Sequence, residues 1–422
     1  MVEWRETTLG EIANCVGGVI QTGPFGSQLH ESDYSDAGIP VVMPKNIVEG
    51  RVSESDIARV SSEHIERLSR HKLVKGDIVY GRRGDIGRQA LVGDAQAGWL
   101  CGTGCLRISL GSTVINPLFL HYYLRQESVI KWISGQAIGA TLPNLNTGIL
   151  KSVPVYVPPL PIQKRIAGIL SAYDELIENN QRRIRILEEM ARSLYREWFV
   201  HFRYPGHEDV PLVDSPLGSI PQGWEVVALE DICERITDGA HKSPKSVESG
   251  LPMASVKDMH DFGFDLSTCR HISEDDYIEL DRQDSVVKEN DVLVAKDGSY
   301  LKHTFVVEKD MKVALLSSIA MLRPNEKVLP HFLAVCLRSE AVKGRMKQCV
   351  SGVAVPRIIL KDFRKFQVVL PPNDLQVKWN ALAGESVKMS WNLIAQNQSI
   401  KTQRDLLLPK LLSGQVALEG VE

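Results

Sequence analysis

The sequence predicts an α+β protein with one unit written twice: two similar α/β domains joined by two long antiparallel coiled-coil helices, with internal pseudo-twofold symmetry. Three observations carry this. The first is an apolar seam at Ile162, Ile166, Ile169, Tyr173, Ile177, Ile184, Leu187, Ala191, Leu194 and Trp198. Its steps of three and four residues are those of a coiled coil. The second is a matching seam at Leu375, Trp379, Leu382, Met389, Leu393, Ile400, Leu407 and Leu411. The third is a repeat at nearly constant offset. Pro117 matches Pro330, Pro158 matches Pro371 and Gln163 matches Gln376, each 213 residues on.

Taken in order, residues 1–155 form the first domain. Its Trp4, its Leu9-Gly10-Glu11-Ile12 and its Lys75-Gly76-Asp77-Ile78-Val79 return in the second copy around Trp224, Leu229 and Lys288. β-like runs at Ile39–Met43, Asp77–Tyr80, Ala90–Val92 and Leu106–Leu110 are bounded by Gly, Asp and Pro. Residues 117–132 read as one helix with Pro117 in its first turn. The expected domain is a small curved sheet with one or two helices. Residues 156–203 form the first long helix, whose seam carries a polar Asn180; buried amides of this kind fix register and partner. A helix of some 40 residues spans about 60 Å and serves as a spacer. A linker follows at 204–221, then a second domain at 222–370, a second long helix at 371–414 and a tail at 415–422. The second domain repeats the strands at Val292–Ala295, Thr304–Val307 and Ala320–Arg323, and the helix at 330–347.

A chain of 422 residues exceeds one ordinary core. It is 43% apolar and 24% charged, as a soluble globular protein is. It lacks the run of about 18 apolar residues that spans a membrane and the basic, apolar start of a signal peptide. Seven scattered cysteines suit reduced thiols in the cytoplasm. A net charge of −3 argues against a chain that coats nucleic acid by bulk charge, and leaves room for local basic patches.

Three loops recur in both copies and offer polar groups. Tyr80-Gly81-Arg82-Arg83-Gly84-Asp85-Ile86-Gly87-Arg88 follows a strand, as does its counterpart Ala295 to His303. Glycine lets backbone N–H groups approach a phosphate, and Arg offers paired donors to phosphate or guanine. A glycine hairpin with solvated cations reads equally well. Arg82, Arg83, Arg88, Lys296, Lys302 and His303 are the candidates there. The second pair of loops supplies Gln21, Thr22, Ser27 and Gln28, and His241, Lys242 and Ser243, side chains that can read base edges or simply line a surface loop. The third supplies Thr141 and Asn144 in one copy and Arg357 in the other.

Catalytic signatures do not occur. The diprolines, Val157-Pro158-Pro159-Leu160 and Leu370-Pro371-Pro372-Asn373, lack both flanks of the adenine-methyltransferase motif. Gly-x-Ser-x-Gly and His-Glu-x-x-His are also missing. The Leu-Gly-Glu-Ile opening, the Lys-Gly-Asp-Ile-Val strand, the Pro-Pro-Leu-x-x-Gln lead-in and the terminal Arg404-Asp405-Leu406-Leu407-Leu408-Pro409-Lys410-Leu411-Leu412-Ser413-Gly414 resemble the specificity subunit of Type I restriction–modification systems. That resemblance implies two target-recognition domains, each reading one half of a bipartite DNA site. It implies helices that set the spacing and dock two modification subunits, with restriction and translocase subunits in the full complex. S-adenosylmethionine, ATP and Mg would sit on those partners and none on this chain, which would carry no catalysis. The competing readings are a self-sufficient DNA methyltransferase or nuclease and a coiled-coil scaffold that does not bind DNA.

Overall fold

The computed structural model describes residues 4–24, 28–83, 86–136, 145–261, 263–298, 302–347, 350–351 and 357–416. The chain divides into two units, Met1–Leu176 with Ile400–Glu422, and Ile177–Ser399.

In the first unit an antiparallel sheet runs in the order Val19–Thr22, Cys105–Ser109, Ile78–Gly81, Gln89–Leu91. Side chains alternate across a strand. Ile78, Tyr80, Leu106 and Ile108 therefore enter one buried cluster, and Val79, Ala90 and Cys105 enter another. Burial on both faces explains the unbroken apolar run Ile78-Val79-Tyr80. The Lys-Gly-Asp motif shapes the turn before it. Asp77 accepts from the Val74 N–H at 2.9 Å, as Asp291 does from Lys288 at 2.8 Å. The residue before each Asp lies in the left-handed region, Gly76 at φ +87° and Asn290 at φ +71°. Glycine takes that conformation freely and asparagine tolerates it.

The second unit repeats the sheet as Cys233–Asp238, Ile319–Pro324, Val292–Ala295, Thr304–Val306. Each unit adds a further sheet, beyond the single one expected. It is Leu100–Cys101, Ile39–Val42, Ala58–Val60, Tyr34–Ser35 in the first and Arg270–Ile272, Leu251–Ala254, Ala314–Leu315 in the second. Strands of two or three residues carry too little period to be read. Arg5–Thr8 pairs with Pro154–Val157, and Glu225–Ala228 with Gln367–Leu370, so the first and last strands of each globular part close on each other.

The single helix expected at 117–132 is two, Pro117–Leu124 and Glu127–Gln136. Its copy is also two, Pro330–Arg338 and Glu340–Met346. Ser339 caps the latter, accepting from Val342; a side-chain cap starts a new helix rather than extending the old one.

The long helices are Leu160–Tyr195, continued by a π turn at Arg196–Val200, and Asn373–Leu412. Within the second unit Asn180 donates to Asn397 at 3.0 Å, and Tyr195 meets Trp379 edge-on at 6.1 Å. Advancing from 180 to 195 on one helix thus means retreating from 397 to 379 on the other, and the pairing is antiparallel. In the first unit Asp174 pairs with Arg404, and Leu411 and Leu412 join Ile166 and Leu170 in the core. Burial works to raise the Asp174 carboxyl, but hydrogen bonds from Arg404 and Tyr122 outweigh it and hold it below its ordinary value.

Two seam positions are corrected. Leu382 is 60% exposed and Met389 46% exposed. The buried stripe keeps the expected Leu393 and runs otherwise through Ala383, Ser390 and Asn397. The linker at 204–221 is also more ordered than its Pro and Gly content implies. It holds the hairpin Leu212–Val213 with Ile220–Pro221, and Tyr204 packs on Trp224 at 5.4 Å.

Candidate nucleic-acid interface

In each unit the recurrent loops leave the same end of the four-stranded sheet. In the first, Thr22 ends one strand, Arg82 follows another and Cys105 begins the third. Backbone bonds hold them together: Gly23 N–H to Cys105 O at 2.9 Å, Arg82 N–H to Gly104 O at 2.8 Å and Leu145 N–H to Arg82 O at 2.9 Å. In the second, Lys296 N–H reaches Ser318 O at 2.9 Å, Ala240 N–H reaches Leu315 O at 2.8 Å and Ile358 N–H reaches Lys296 O at 3.1 Å. The three loops that the sequence offers separately therefore converge.

Gly23 and Gly239, in the loops of Gln21 and His241, serve close backbone packing. A Cβ on Gly23 would lie 2.1 Å from Gly102 O, and one on Gly239 2.3 Å from the Leu315 carbonyl carbon. No side chain fits where those backbones meet.

The candidate residues fall into three groups. Arg83, Arg88, His241, Lys242, Ser243, Lys302 and Arg357 are exposed at or beside this end of the sheet, and Arg82 and Gln28 are half-buried. Others are engaged by the scaffold. The Gln21 amide donates to Arg70 O at 2.6 Å, and Thr22 is half-buried at its strand end. His303 pairs through Nδ1 with Asp261 at 3.0 Å and holds that carboxyl below its ordinary value. Ser27, Thr141 and Asn144 lie outside the described residues.

Lys296 is the correction. Offered as a contact to DNA, it is 5% exposed, and its ammonium donates to Asp238 at 2.5 Å. Asp238 is buried too and also meets His241 Nε2 at 3.2 Å. The buried pair is a base on which the exposed His241 rests. Asp238 and Asp297, which meets the Arg357 guanidinium at 3.1 Å, were missed as partners. Their only signal in the chain is their place beside the proposed cations, Asp238 in the loop of His241 and Asp297 next to Lys296.

The register relates the copies residue by residue. Thr22 stands opposite Leu106 and Asp238 opposite Ala320, each the second residue of the matching strand. The first copy therefore holds Thr22 and Arg82 where the second holds Asp238 and Lys296. Exposed guanidinium, ammonium, imidazole and hydroxyl groups on a rigid strand end are the groups that bond phosphates and base edges.

Comparison with known proteins gives a concordant result. Residues 1–189 and 221–379 match the family model described as the Type I restriction modification DNA specificity domain. The chain is 25% identical over 435 residues to the Type I restriction enzyme MjaIX specificity subunit of Methanocaldococcus jannaschii, covering 99% of this chain and 97% of that one. It is 22% identical to the EcoBI specificity subunit of Escherichia coli, covering 95% and 81%. Among solved structures, the Type I restriction–modification S subunit from M. genitalium superposes with a TM-score of 0.60 at 18% identity, covering 97% of this chain and 96% of that one. That likeness concerns the fold.

Proposed function

This chain belongs to the Type I restriction modification DNA specificity family, and on that premise we propose that each sheet end reads one half of a bipartite, asymmetric DNA site. The chain is the DNA-recognition subunit of a Type I restriction–modification system. One observation carries the finer reading. The two sheet ends share strand order and loop connections, yet expose Arg83 and Arg88 in one copy and His241, Lys242, Ser243 and Lys302 in the other. A common scaffold with different side chains suits two different half-sites, with the long helices setting the unspecified spacer between them.

The same reading gives the helices to two modification subunits. Ile186 and Met190, one turn apart on the first helix, and Leu382 and Met389, two turns apart on the second, are exposed, and apolar side chains that share an exposed helix face suit contact with a partner. S-adenosylmethionine then belongs to the modification subunits, with ATP and Mg on restriction and translocase subunits. This chain binds none of these and catalyses no step. Its place is the cytoplasm, beside the DNA; no helix among the described residues is long and apolar enough to cross a membrane.

Exchanging residues 1–150 for those of a relative with another target tests the reading. Methylome sequencing should then show one half-site changed and the other intact; a change in both would refute independent reading. A second outcome is expected at the first sheet end. Replacing Arg82 and Arg83 together by Ala should lower DNA affinity in the assembled complex. An arginine on a base edge contributes about 1–3 kcal/mol and specifies one position, whereas a phosphate contact weakens all sequences alike and lowers the salt slope by about one. Affinity and salt slope both unchanged would remove the two arginines from the interface.

A further inference from the structure

His241 is exposed, yet both its backbone and one ring nitrogen are held. The residue before it bridges to the smaller sheet of the second unit: Ala240 N–H donates to Leu315 O at 2.8 Å, and Ser317 N–H donates to Ala240 O at 3.1 Å. The side chain is 77% exposed, but its Nε2 lies 3.2 Å from Oδ1 of Asp238, which is 8% exposed. The other oxygen of that carboxylate, Oδ2, accepts from the buried Lys296 ammonium. In such an ion pair a carboxylate only accepts. The bond to His241 therefore needs its proton on Nε2. In a neutral imidazole the second nitrogen is then a bare acceptor, because the bond made by one nitrogen sets the state of the other. Nδ1 makes no hydrogen bond to the described residues.

An exposed acceptor is uncommon at this end of the sheet. Lys242, Lys302 and Arg357 are exposed there and can only donate. Donors bond phosphates and the acceptor atoms of guanine, but cannot meet the exocyclic amino groups of bases. Each base pair shows one such group in the major groove, adenine N6 or cytosine N4. Turning the pair around puts thymine O4 or guanine O6 on that strand, an acceptor that a bare nitrogen repels. The first copy lacks the device, since Thr22 stands where Asp238 stands in the second. We propose that Asp238 and Lys296 position His241 so that its Nδ1 accepts from a major-groove amino group and specifies one base pair of the second half-site. This rests on the reading of the sheet ends as DNA readers. The major groove is the one wide enough to admit a two-stranded ribbon.

Two measurements separate this inference from that reading. The first needs no DNA. At a pH of about 8, above the ordinary imidazole value of about 6.5, long-range ¹H–¹⁵N spectra of the full-length chain should show His241 with its proton on Nε2; the signals are identified by their absence in His241→Ala. A proton on Nδ1 would overturn the proposal whatever the chain binds. The second uses the complex assembled with modification subunits. Methylome sequencing should show that His241→Ala relaxes one base pair of the second half-site and leaves the first half-site intact. At that pair, purine in place of adenine, or a pyrimidinone without the 4-amino group in place of cytosine, should weaken binding by the native complex about fivefold, the worth of one hydrogen bond. The His241→Ala complex should bind both duplexes alike. No relaxed position, or an analogue that costs the native complex nothing or costs both complexes equally, would overturn the inference, while an intact first half-site would leave the recognition role standing. Replacing Lys296 by Met together with Asp238 by Leu should erase the analogue penalty; a penalty that persists would show that the buried pair does not aim the ring.

Discussion

Replacing Lys296 by Met should destabilise the second unit by about 3–5 kcal/mol, the cost of leaving one half of a buried ion pair without its partner. The side chains of Lys296 and Asp238 are only 7% and 8% exposed, and the ammonium lies 2.5 Å from the carboxylate. Met keeps the length of the side chain and removes the charge, so Asp238 would be left buried with His241 alone at 3.2 Å. Hydrogen exchange across Cys233–Asp238 and Val292–Ala295 as a function of denaturant is the measurement, because Asp238 ends the first strand and Lys296 directly follows the second. Protection there should fall while that of Ile78–Gly81 in the first unit stays. Adding Asp238→Leu to the variant should recover most of the loss, since two apolar residues replace a buried pair at little cost. A loss below about 0.5 kcal/mol, the range of an ordinary surface substitution, would mean that water reaches the pair and that Lys296 is available to a ligand after all.

Lys296 also marks the boundary of what the chain discloses on reading. Its place after a strand, opposite Arg82 of the first copy, is legible in the repeat. Its burial is not, because that depends on Asp238 arriving from a strand 58 residues earlier. The scaffold was legible for a physical reason: a strand buried on both faces, such as Ile78–Gly81, shows as an apolar run, and its copy Val292–Ala295 repeats it. The helix seam was half legible. A heptad reading favours large apolar residues and so selected Leu382 and Met389. Close helix pairing selects small or mutually bonded ones, and Ala383, Ser390 and Asn397 line the stripe instead. Asn180 was recognised as a seam amide; Asn397, four residues after Leu393 and three before Ile400, fits the same spacing and is its partner.

The matched glutamines were visible as a repeat before they had a role, and the structure supplies it. Gln163 is 1% exposed and Gln376 fully buried, each at the start of a long helix. Gln163 accepts from the Asn116 N–H at 2.7 Å and donates to Val114 O at 3.1 Å and Pro158 O at 2.7 Å. Gln376 accepts from the Leu329 N–H at 3.0 Å and donates to Lys327 O and Pro371 O, both at 3.0 Å. Each side chain thus ties the first turn of a long helix to the residues that begin Pro117–Leu124 or Pro330–Arg338. Substitution by Leu keeps the bulk and cuts three bonds, leaving one buried N–H and two carbonyls unpaired. A stranded buried donor alone costs about 1–3 kcal/mol; with the carbonyls able to turn to other donors, the expected loss is about 3 kcal/mol per site. Gln163→Leu should lower protection in the first unit and Gln376→Leu in the second. The double variant should show both losses, additive to within about 0.5 kcal/mol because the two locks share no partner. Denaturant-dependent hydrogen exchange on the three proteins decides it. Either single variant behaving like the parent would show that the helix start is held by its apolar contacts, and that the repeated glutamine is not the lock between helix and globular part.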